Sequence, residues 1–586
     1  MTTMDCIPGA ARGRGGYALL MVLLVVMAVG ILASAAVAVV GNAGLITAYE
    51  SKRADLETLA DAGVEIARAR LNHDPALYPV EGYATLENGV TPKDAAGAPI
   101  TGVRRWTYAG PVGQTSGQYG VFGSIVSVVQ AGNAKVVRRG DVAQESFAKY
   151  AYFTDVEPSN IAFGGGDIIS GPVHSNDGIQ IYSSRATFRG PGAVTTAGTI
   201  TGKQYGTFTE GYTERAATIP LPTVADLARL RGYAQEGGTA FTAPNGGTAV
   251  EARLRIEFMT IELNDNNRVD EDEGFFRVFR STGQPGYLMG KANGLGWEAS
   301  ENCGWYDNNN VFRTIANTPG NATERRDKLR TARARCYLGG SDSLFNGQFA
   351  PAINGRGEWV RRGTALTSVH PRLAGRDDLD FLFPLSRNLN PNFKGVIHVT
   401  GKVAVSGTLR GRVTLAATAD IFIADDVVYA GEGSACGDIL GLFGGADIVV
   451  SDNLLNTPQK LTNANNETWR SFDSTPSEFI NAVVLTLSTF TVENFDGAPV
   501  NGELCQQSFF GRGCLFLTGG IIQRTRGGVG TSGGTGYLKR YTYDTCAFTD
   551  PPPYFPTTNH FARARYYEVN PVGFTPGDFF DRMTPD

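Results

Sequence analysis

The first pattern along the chain is a long apolar stretch near its N-terminus. No Asp, Glu, Lys or Arg lies between Tyr17 and Tyr49, whereas Arg12 and Arg14 precede the stretch. A hydrocarbon core about 30 Å thick needs roughly 20 apolar helical residues, so residues 17–49 are predicted to form a transmembrane helix. Because basic residues favour the cytoplasmic side of a membrane, we expect a single pass with the C-terminal domain outside the cytoplasm.

The helical pattern continues beyond this stretch. Apolar or small residues recur at three- and four-residue spacing, which is one face of an α-helix. These residues are Leu56, Leu59, Ala60, Gly63, Ile66, Ala67 and Leu71. Asp74 and Pro75 mark the end of the pattern. Residues 50–75 are therefore predicted to be an amphipathic extension of the same helix, about 80 Å long from Tyr17 to Leu71.

Short apolar segments separated by polar, glycine-rich turns fill the rest of the chain. They are clearest at Val103 to Thr154, Ile161 to Gly202 and Val396 to Val428, and they predict strands. The last two have the loosely repeated texture of β-solenoid coils. No strict period is present, so a β-sandwich of the same strands is the alternative. The predicted fold is mainly β with one long N-terminal α-helix and a β-solenoid-like or β-sandwich exported domain.

Length and composition support several modules. The 74 glycines favour short strands joined by turns, and 586 residues exceed one ordinary core. We expect a first β-rich module at 76–250, an insertion with a metal loop and disulfides at 251–390, and a second β-rich module at 391–586. The net charge of −5 gives no basic footprint, so nucleic acid is not expected as a direct partner.

The residues at the start of the apolar stretch resemble a prepilin leader. The run Arg14-Gly15-Gly16-Tyr17-Ala18-Leu19-Leu20 is similar to leaders that a prepilin peptidase cuts after glycine and before an aromatic residue. The resemblance implies a leader at 1–16, with cleavage between Gly16 and Tyr17. The alternatives are an uncleaved simple anchor and an ordinary secretory signal cut after Ala35 or Ala38.

A second resemblance follows in the amphipathic extension. Leu59 to Ala67 is similar to the membrane-proximal helix of PilX-like and GspK-like minor pilins. Most major pilins carry Glu at the fifth mature position, where Met21 stands here, so the resemblance implies a minor or non-filament role. It also implies a bacterial inner-membrane location, with the pilus or cell surface as a further place, and other pilin-like subunits as partners.

Three further segments resemble large pilin-like envelope proteins that carry a DUF4900-like domain. They are Gly171 to Asp177, Gly519 to Gln523 and Pro551 to Pro556. The resemblance implies an envelope context with cell-wall or surface-layer components as partners. It brings no catalytic motif, so we do not expect an enzyme. His174, beside Ser175 and Asp177, is interpreted as a turn histidine, because adjacent residues of a strand point to opposite faces.

The acidic run from residue 262 to residue 273 can be laid on the twelve positions of an EF-hand-type calcium loop. Side-chain oxygens fall at positions 1, 3, 5, 9 and 12, and a backbone carbonyl falls at position 7. These ligands are Glu262, Asn264, Asn266, Asp270 and Glu273, with the carbonyl of Arg268. Asn267 replaces the usual glycine at position 6. We expect a structural calcium ion here; a solvated acidic turn is the alternative.

Six of the seven cysteines follow the apolar stretch. They are Cys303, Cys336, Cys436, Cys505, Cys514 and Cys546. None forms a C-x-x-C pair, so disulfides in an oxidising compartment are predicted rather than a zinc site. Cys303 with Cys336, and Cys505 with Cys514, are candidate loop closures, but the sequence leaves the pairing open.

The resemblances to prepilin leaders and minor pilins imply a structural or assembly role in pilus or pseudopilus biogenesis or in surface organisation. The alternative is a calcium-dependent β-solenoid enzyme or adhesion module that acts on envelope polysaccharide. Two carboxyl groups that face one cleft would favour the enzyme, and an aromatic groove would favour the adhesion module.

Overall fold

The structure is a computed structural model. It describes residues 15–583 apart from residues 80, 113–117, 119, 245–250, 282–286, 289–302, 307, 310–311, 315–319, 321–333, 337–351, 354–356, 367, 432–435, 451–459, 463–467, 471–477, 493–494, 496–513 and 532–534.

The described residues form one very long helix, three short helices and many short strands. The helices are α1 (Gly15–His73), α2 (Val224–Glu236), α3 (Thr545–Thr549) and α4 (Pro576–Met583). The strands are β1 (Ala84–Val90), β2 (Val103–Pro111), β3 (Phe122–Ala131), β4 (Ala134–Ser146), β5 (Tyr152–Val156), β6 (Asp167–Ser170), β7 (Val173–Ser175), β8 (Ile179–Gln180), β9 (Ala186–Arg189), β10 (Val194–Thr196), β11 (Ile200–Thr201), β12 (Gly206–Phe208), β13 (Tyr212–Glu214), β14 (Ala240–Thr242), β15 (Glu251–Ala252), β16 (Leu254–Thr260), β17 (Gly274–Ser281), β18 (Tyr287–Leu288), β19 (Cys303–Tyr306), β20 (Phe312–Thr314), β21 (Ala334–Cys336), β22 (Ala352–Ile353), β23 (Gly357–Trp359), β24 (Phe383–Pro384), β25 (Val396–Thr400), β26 (Val403–Leu409), β27 (Arg412–Ala417), β28 (Ile421–Tyr429), β29 (Ile439–Gly444), β30 (Ile448–Val450), β31 (Lys460–Thr462), β32 (Thr468–Arg470), β33 (Glu478–Val492), β34 (Cys514–Arg526), β35 (Leu538–Tyr543) and β36 (Thr557–Val569). The prediction of a mainly β chain with one long N-terminal helix is confirmed.

The chain divides into two compact units. The first unit combines Met1–Val112, Gly123–Val142 and Arg563–Asp586, and the second combines Gly113–Phe122 and Ala143–Ala562. The first unit therefore joins segments from both ends of the chain, whereas the predicted modules are consecutive stretches. Their boundaries stay a prediction.

The first unit is a helix packed on a five-stranded sheet of order β1-β2-β3-β4-β36. Strands β1, β2 and β3 pair antiparallel, and β2 runs in register with β3 from Val103 opposite Ala131 to Pro111 opposite Gly123. Helix α1 packs with Val129 and its neighbours on one side of the sheet. Phe579 and Phe580 of α4 pack with Val126 and Val128 of β3.

The second unit is built from strands that pair in parallel with a strand of the next coil. One ladder follows β14, β25, β27, β29, β33, β34, β5, β7, β10 and β13. A second ladder follows β16, β26, β28, β33, β34, β35, β6, β9 and β12. The pairs of β28 with β30, β30 with β33, and β8 with β11 lie on a further side. Parallel pairing between successive coils is the arrangement expected of the solenoid-like prediction rather than of the β-sandwich.

Alternating side chains fill the interior of these coils. In the second ladder the partners Leu517, Tyr541, Ile169 and Phe188 are all buried. Gly519 lies within the β34 segment of the ladder with a φ of 146°. A Cβ there would lie 1.9 Å from the carbonyl oxygen of Ala482, so the close stacking of the two coils requires glycine.

Candidate functional site: the N-terminal helix and its sheet

The N-terminal half of α1 exposes all its apolar side chains. Residues 17–55 are exposed throughout, including Tyr17 at 83% and Val40 at 71%. Among the described residues, Tyr17–His73 is the one helix long and apolar enough to cross a membrane, with a mean hydropathy of 2.8 in its apolar window. An apolar surface of this length is stable only when lipid or other apolar helices cover it.

The C-terminal half of the same helix has a buried stripe that packs on the sheet. The stripe consists of Leu56, Ala60, Val64, Ala67 and Leu71, each 3% exposed or less. Four members of the predicted face are in it, and Leu59 is partly buried beside it. The prediction that Ile66 belongs to the apolar face is wrong, because Ile66 is 41% exposed. Val64 lies in the buried stripe instead. Two positions correspond to about 200° of helix rotation, so only one of the two residues can face the sheet.

Two glycines allow the helix and the sheet to approach closely. A Cβ on Gly63 would lie 2.4 Å from Oγ of Ser127 and 2.7 Å from Cδ of Arg105. A Cβ on Gly140, in β4, would lie 2.4 Å from Cγ1 of Val64. All three distances are far below van der Waals contact. The helix and the sheet can therefore approach this closely only because neither residue has a Cβ.

A buried ion pair lies under the helix. The guanidinium of Arg105 donates to both carboxylate oxygens of Glu87 at 2.7 and 2.9 Å, and Nη1 donates to the carbonyl of Leu59 in α1 at 3.3 Å. Thr107 donates a further hydrogen bond of 2.8 Å to Glu87. Because the geometry is bidentate and Glu87 has a third donor, the charges remain compensated although both side chains are almost fully buried.

Charged side chains border the buried stripe. Arg138 of β4 donates to the carboxylate of Asp61 at 2.8 and 3.2 Å, and these hydrogen bonds raise the pKa of Arg138. Arg53 pairs with Glu568 of β36. These partners fix the rotation of the helix but lie partly in solvent, so each contributes little free energy of folding.

The predicted processing residues lie at the start of the helix. Gly16 is in the first turn of α1, and Tyr17 is exposed. Arg12 and Arg14 lie outside the described residues. The cleavage between Gly16 and Tyr17 stays a prediction.

The six predicted calcium ligands lie together in one loop between the antiparallel strands β16 and β17. Asn267, at the glycine position, has a φ of 58°, as the loop register requires. The amides of Asn264 and Asn266 donate to Asp270 at 2.6 and 2.7 Å, and these bonds lower the pKa of Asp270. Glu262 accepts a bond from the backbone N–H of Asn266 at 3.2 Å.

The last acidic position of this loop is buried. Both carboxylate oxygens of Glu273 accept backbone N–H groups, from Leu263 at 2.6 Å and from Asp270 at 2.8 Å. The described residues contain no group of three His, Cys, Asp or Glu side chains arranged to hold a metal. Hydrogen bonds within the loop hold it in this conformation. The calcium ion stays a prediction.

One disulfide joins Cys436 to Cys546 across 110 residues of sequence. Cys514 is also disulfide-bonded. The backbone register of β19 and β21 sets Cys303 directly opposite Cys336, although their side chains lie outside the description, as does Cys505. The sequence offered no signal for the pairing of Cys436 with Cys546, because the coils bring together cysteines far apart in the chain.

Two histidines of the second unit, His174 and His398, lie buried in strands. The interpretation of His174 as a turn residue is wrong, because it lies in β7 and is 2% exposed. Its ring nitrogens bond to Thr195 at 2.8 Å and to Asn176 at 3.0 Å, and burial lowers its pKa. His398, in β25, is 1% exposed, and burial lowers its pKa to about 4.

A cleft of about 330 Å³ lies at a corner of the coils. It is lined by the turns before β6 and after β34, with Tyr182 and Phe495 at its sides. Asp167 is the one acidic side chain among its lining residues, and it pairs with Lys539 at 2.9 Å. Among the described residues, this cleft therefore does not show the pair of facing carboxyl groups that most glycoside hydrolases use.

Comparison with known proteins does not assign a family. No family model and no curated protein match the chain. Among solved structures, the crystal structure of the competence-associated pilin ComZ from Thermus thermophilus is similar, with 13% identity over 87% of this chain and 96% of that chain and a TM-score of 0.24. A TM-score this low carries no argument, so the functional conclusion depends on the residues and geometry described above.

Proposed function

We propose that this chain is a type IV pilin-like, membrane-anchored protein of the bacterial cell envelope, with a structural or assembly role in pilus or pseudopilus biogenesis or in surface organisation. The observation that carries the proposal is the division of one continuous helix of 59 residues. Its first half is exposed and apolar, and its second half packs on a sheet by a buried stripe. The partners are the inner membrane and other pilin-like subunits. No reaction is assigned.

The helix can perform this role because its two halves suit different environments, an apolar one for the first half and the surface of the sheet for the second. The uncharged half gains free energy when it enters lipid or packs among other apolar helices. The packed half joins that anchor to the sheet without a flexible linker, because the helix is uninterrupted from Gly15 to His73. Displacement of the anchor is therefore transmitted directly to the folded unit.

The disulfides support a location outside the cytoplasm. Cys436 and Cys546 are bonded, and Cys514 is bonded as well. Disulfides persist in oxidising compartments and are rare in the cytoplasm. Alkylation of free thiols before and after reduction, in cells kept intact, tests this location: Cys436 and Cys546 should react only after reduction. Reaction of both without reductant would contradict it.

The decisive experiment is N-terminal and intact-mass analysis of the protein from its native membrane, with and without the prepilin peptidase. We expect a mature N-terminus at Tyr17 that depends on the peptidase. The Gly16→Leu variant should retain its leader while its helix still inserts, which makes it the matched control.

Each alternative gives a different mass. If the wild-type protein keeps its leader, the helix is an uncleaved simple membrane anchor. A start after Ala35 or Ala38 would show ordinary secretion and remove the anchor from the mature chain, which would contradict the proposal.

We also propose that the loop at residues 262–273 binds calcium in a structural role. The support is the set of oxygen ligands at the loop positions and the left-handed backbone at Asn267. Calorimetric titration of the full chain with calcium should show one site, lost in Asp270→Asn and retained in Asp272→Asn, whose carboxylate bonds to Asn388 instead. If both variants give the same heat of calcium binding, or the wild type gives none, the loop is a solvated acidic turn and not a calcium site.

A further inference from the structure

The stack of parallel coils ends at a coil made of β11, β12 and β13. These strands pair with β8, β9 and β10 of the preceding coil. All the pairings described for these three strands lie on the side of that preceding coil. Three strand edges therefore end on the same side of one coil. Such edges carry backbone groups that can pair with another chain.

Burial falls sharply from the preceding coil to this one. Val194, which is 2% exposed, pairs with Tyr212, which is 44% exposed. Phe188, also 2% exposed, pairs with Phe208, which is only partly buried. Matched positions of two adjacent coils differ because one coil is covered on both sides and the other on one side. A repeat structure normally ends in a polar capping repeat, and these positions are aromatic.

The aromatic core continues into this coil beside its polar residues. The rings of Phe163 and Phe188 lie 5.2 Å apart, Phe188 and Phe208 stack at 5.2 Å, and Phe208 and Tyr212 lie 5.0 Å apart. Tyr205 is a further exposed aromatic residue of the same coil. The end of the stack thus presents apolar rings beside unpaired strand edges, which is the combination found at association surfaces.

The charges of the terminal coil are balanced. Lys203 and Arg215 are basic, and Glu210 and Glu214 are acidic. Lys203 pairs with Glu214 at 3.1 Å and lies over the ring of Tyr212 at 5.6 Å. A balanced surface can face an identical surface without net repulsion, whereas it gives no preference for a polyanion.

We propose that the outer face of the coil formed by β11, β12 and β13 is a docking surface for the same coil of a second copy of this chain. A single extended peptide could cover one edge. Only a partner that also ends in three edges at matching spacing could cover all of them, and the same coil of another copy is such a partner. A two-fold axis across the interface would set the strands of the two copies antiparallel and place the same surface of each copy against the other.

Photo-crosslinking of the full chain in its native membrane tests the proposal. A benzophenone amino acid placed at Thr213, in β13, should give a homodimer between two differently tagged copies. The same amino acid at Val572, which is 84% exposed in the first unit, should not. Position-specific crosslinking separates this contact from association through the membrane helices.

Two substitutions at one position sharpen the test. Tyr212→Lys should reduce the crosslinked dimer about tenfold, because it places an unmatched charge at the interface, and Tyr212→Phe should leave the yield unchanged. Equal yields at Thr213 and Val572, no homodimer at Thr213, or an adduct with a different protein would each overturn the proposal. The result is independent of leader cleavage, so failure of the proposed pilin-like processing would be recognised separately.

Discussion

The two halves of α1 have the same secondary structure and opposite environments. Gly30, in the first half, has no atom within 4 Å of the place where a Cβ would stand, whereas at Gly63, in the second half, two side chains lie within 2.7 Å of it. The first half has its backbone hydrogen bonds and needs lipid or other apolar helices to cover its side chains. The second half is covered by the five-stranded sheet. The difference teaches that a helix predicted from one continuous pattern can contain two regions with unrelated tolerance to mutation.

The largest expected effect is at the ion pair under the packed half. Arg105→Met should lower the free energy of unfolding of the first unit by about 3–5 kcal/mol, because Glu87 would keep a buried charge without its partner. Urea unfolding in detergent, with hydrogen exchange at β1 to β3, measures the change. Arg105→Met combined with Glu87→Leu should recover most of the loss. If the double variant is as unstable as the single one, the charge argument is wrong.

A matched pair of glycine substitutions tests the comparison directly. Gly63→Leu should cost about 1–3 kcal/mol or more, because the new side chain overlaps Ser127 and Arg105. Gly30→Leu makes the same chemical change in the other half and should leave the sheet unaffected, because nothing lies within 4 Å of a Cβ at that position. The two substitutions gain similar helix propensity, so the difference between them reports the contact with the sheet. Hydrogen exchange of β2 and β3 provides the measurement. Equal protection in the two variants would show that the packed half is not held by the sheet.

A smaller effect is expected within the packed stripe. Val64→Ala should cost about 1–3 kcal/mol, because it removes buried methyl groups beside Gly140. Ile66→Ala should cost about 0.5 kcal/mol or less, because Ile66 is 41% exposed. Thermal unfolding of the two purified variants compares them. A larger loss at Ile66 than at Val64 would reverse the assignment of the buried face.

The smallest effect is expected at the border of the stripe. Asp61→Asn removes the ion pair with Arg138, and because both side chains are partly in solvent the cost should be about 0–1 kcal/mol and should shrink further at high salt. Unfolding at two salt concentrations checks this. A salt-independent loss would indicate that the pair is more deeply buried than its exposure suggests.

The sequence predicted the long helix, its end and most of its buried face. Spacing of three and four residues identifies a helix face but does not distinguish Val64 from Ile66, because both are apolar and the choice depends on where the sheet contacts the helix. The pair of Arg105 with Glu87 gave no signal in the sequence. A charged residue in a strand is usually exposed, and only the packing of α1 over β2 buries it.

In the second unit, the glycine-rich strand texture predicted many short strands, in solenoid-like coils or in a sandwich, and the parallel ladders have the pairing expected of coils. The texture did not predict which coil follows which, because β34 pairs with β33 on one edge and, on the other, with β5, which lies more than 350 residues earlier in the sequence. It therefore did not predict that Cys436 would meet Cys546, or that the stack would end at β11, β12 and β13. From the sequence, His174 is interpreted as a turn histidine, but the strands on both sides include it in a ladder, opposite Phe153 and Thr195.

By itself, the sequence determined that the chain has one helix able to cross a membrane and many short strands, since both depend on local hydrophobic pattern. The tertiary structure alone decided which half of the helix is covered, which charges are buried, which cysteines meet and which strand edges stay open. The physical reason is that burial belongs to surfaces that come together from distant segments, so no local pattern specifies it.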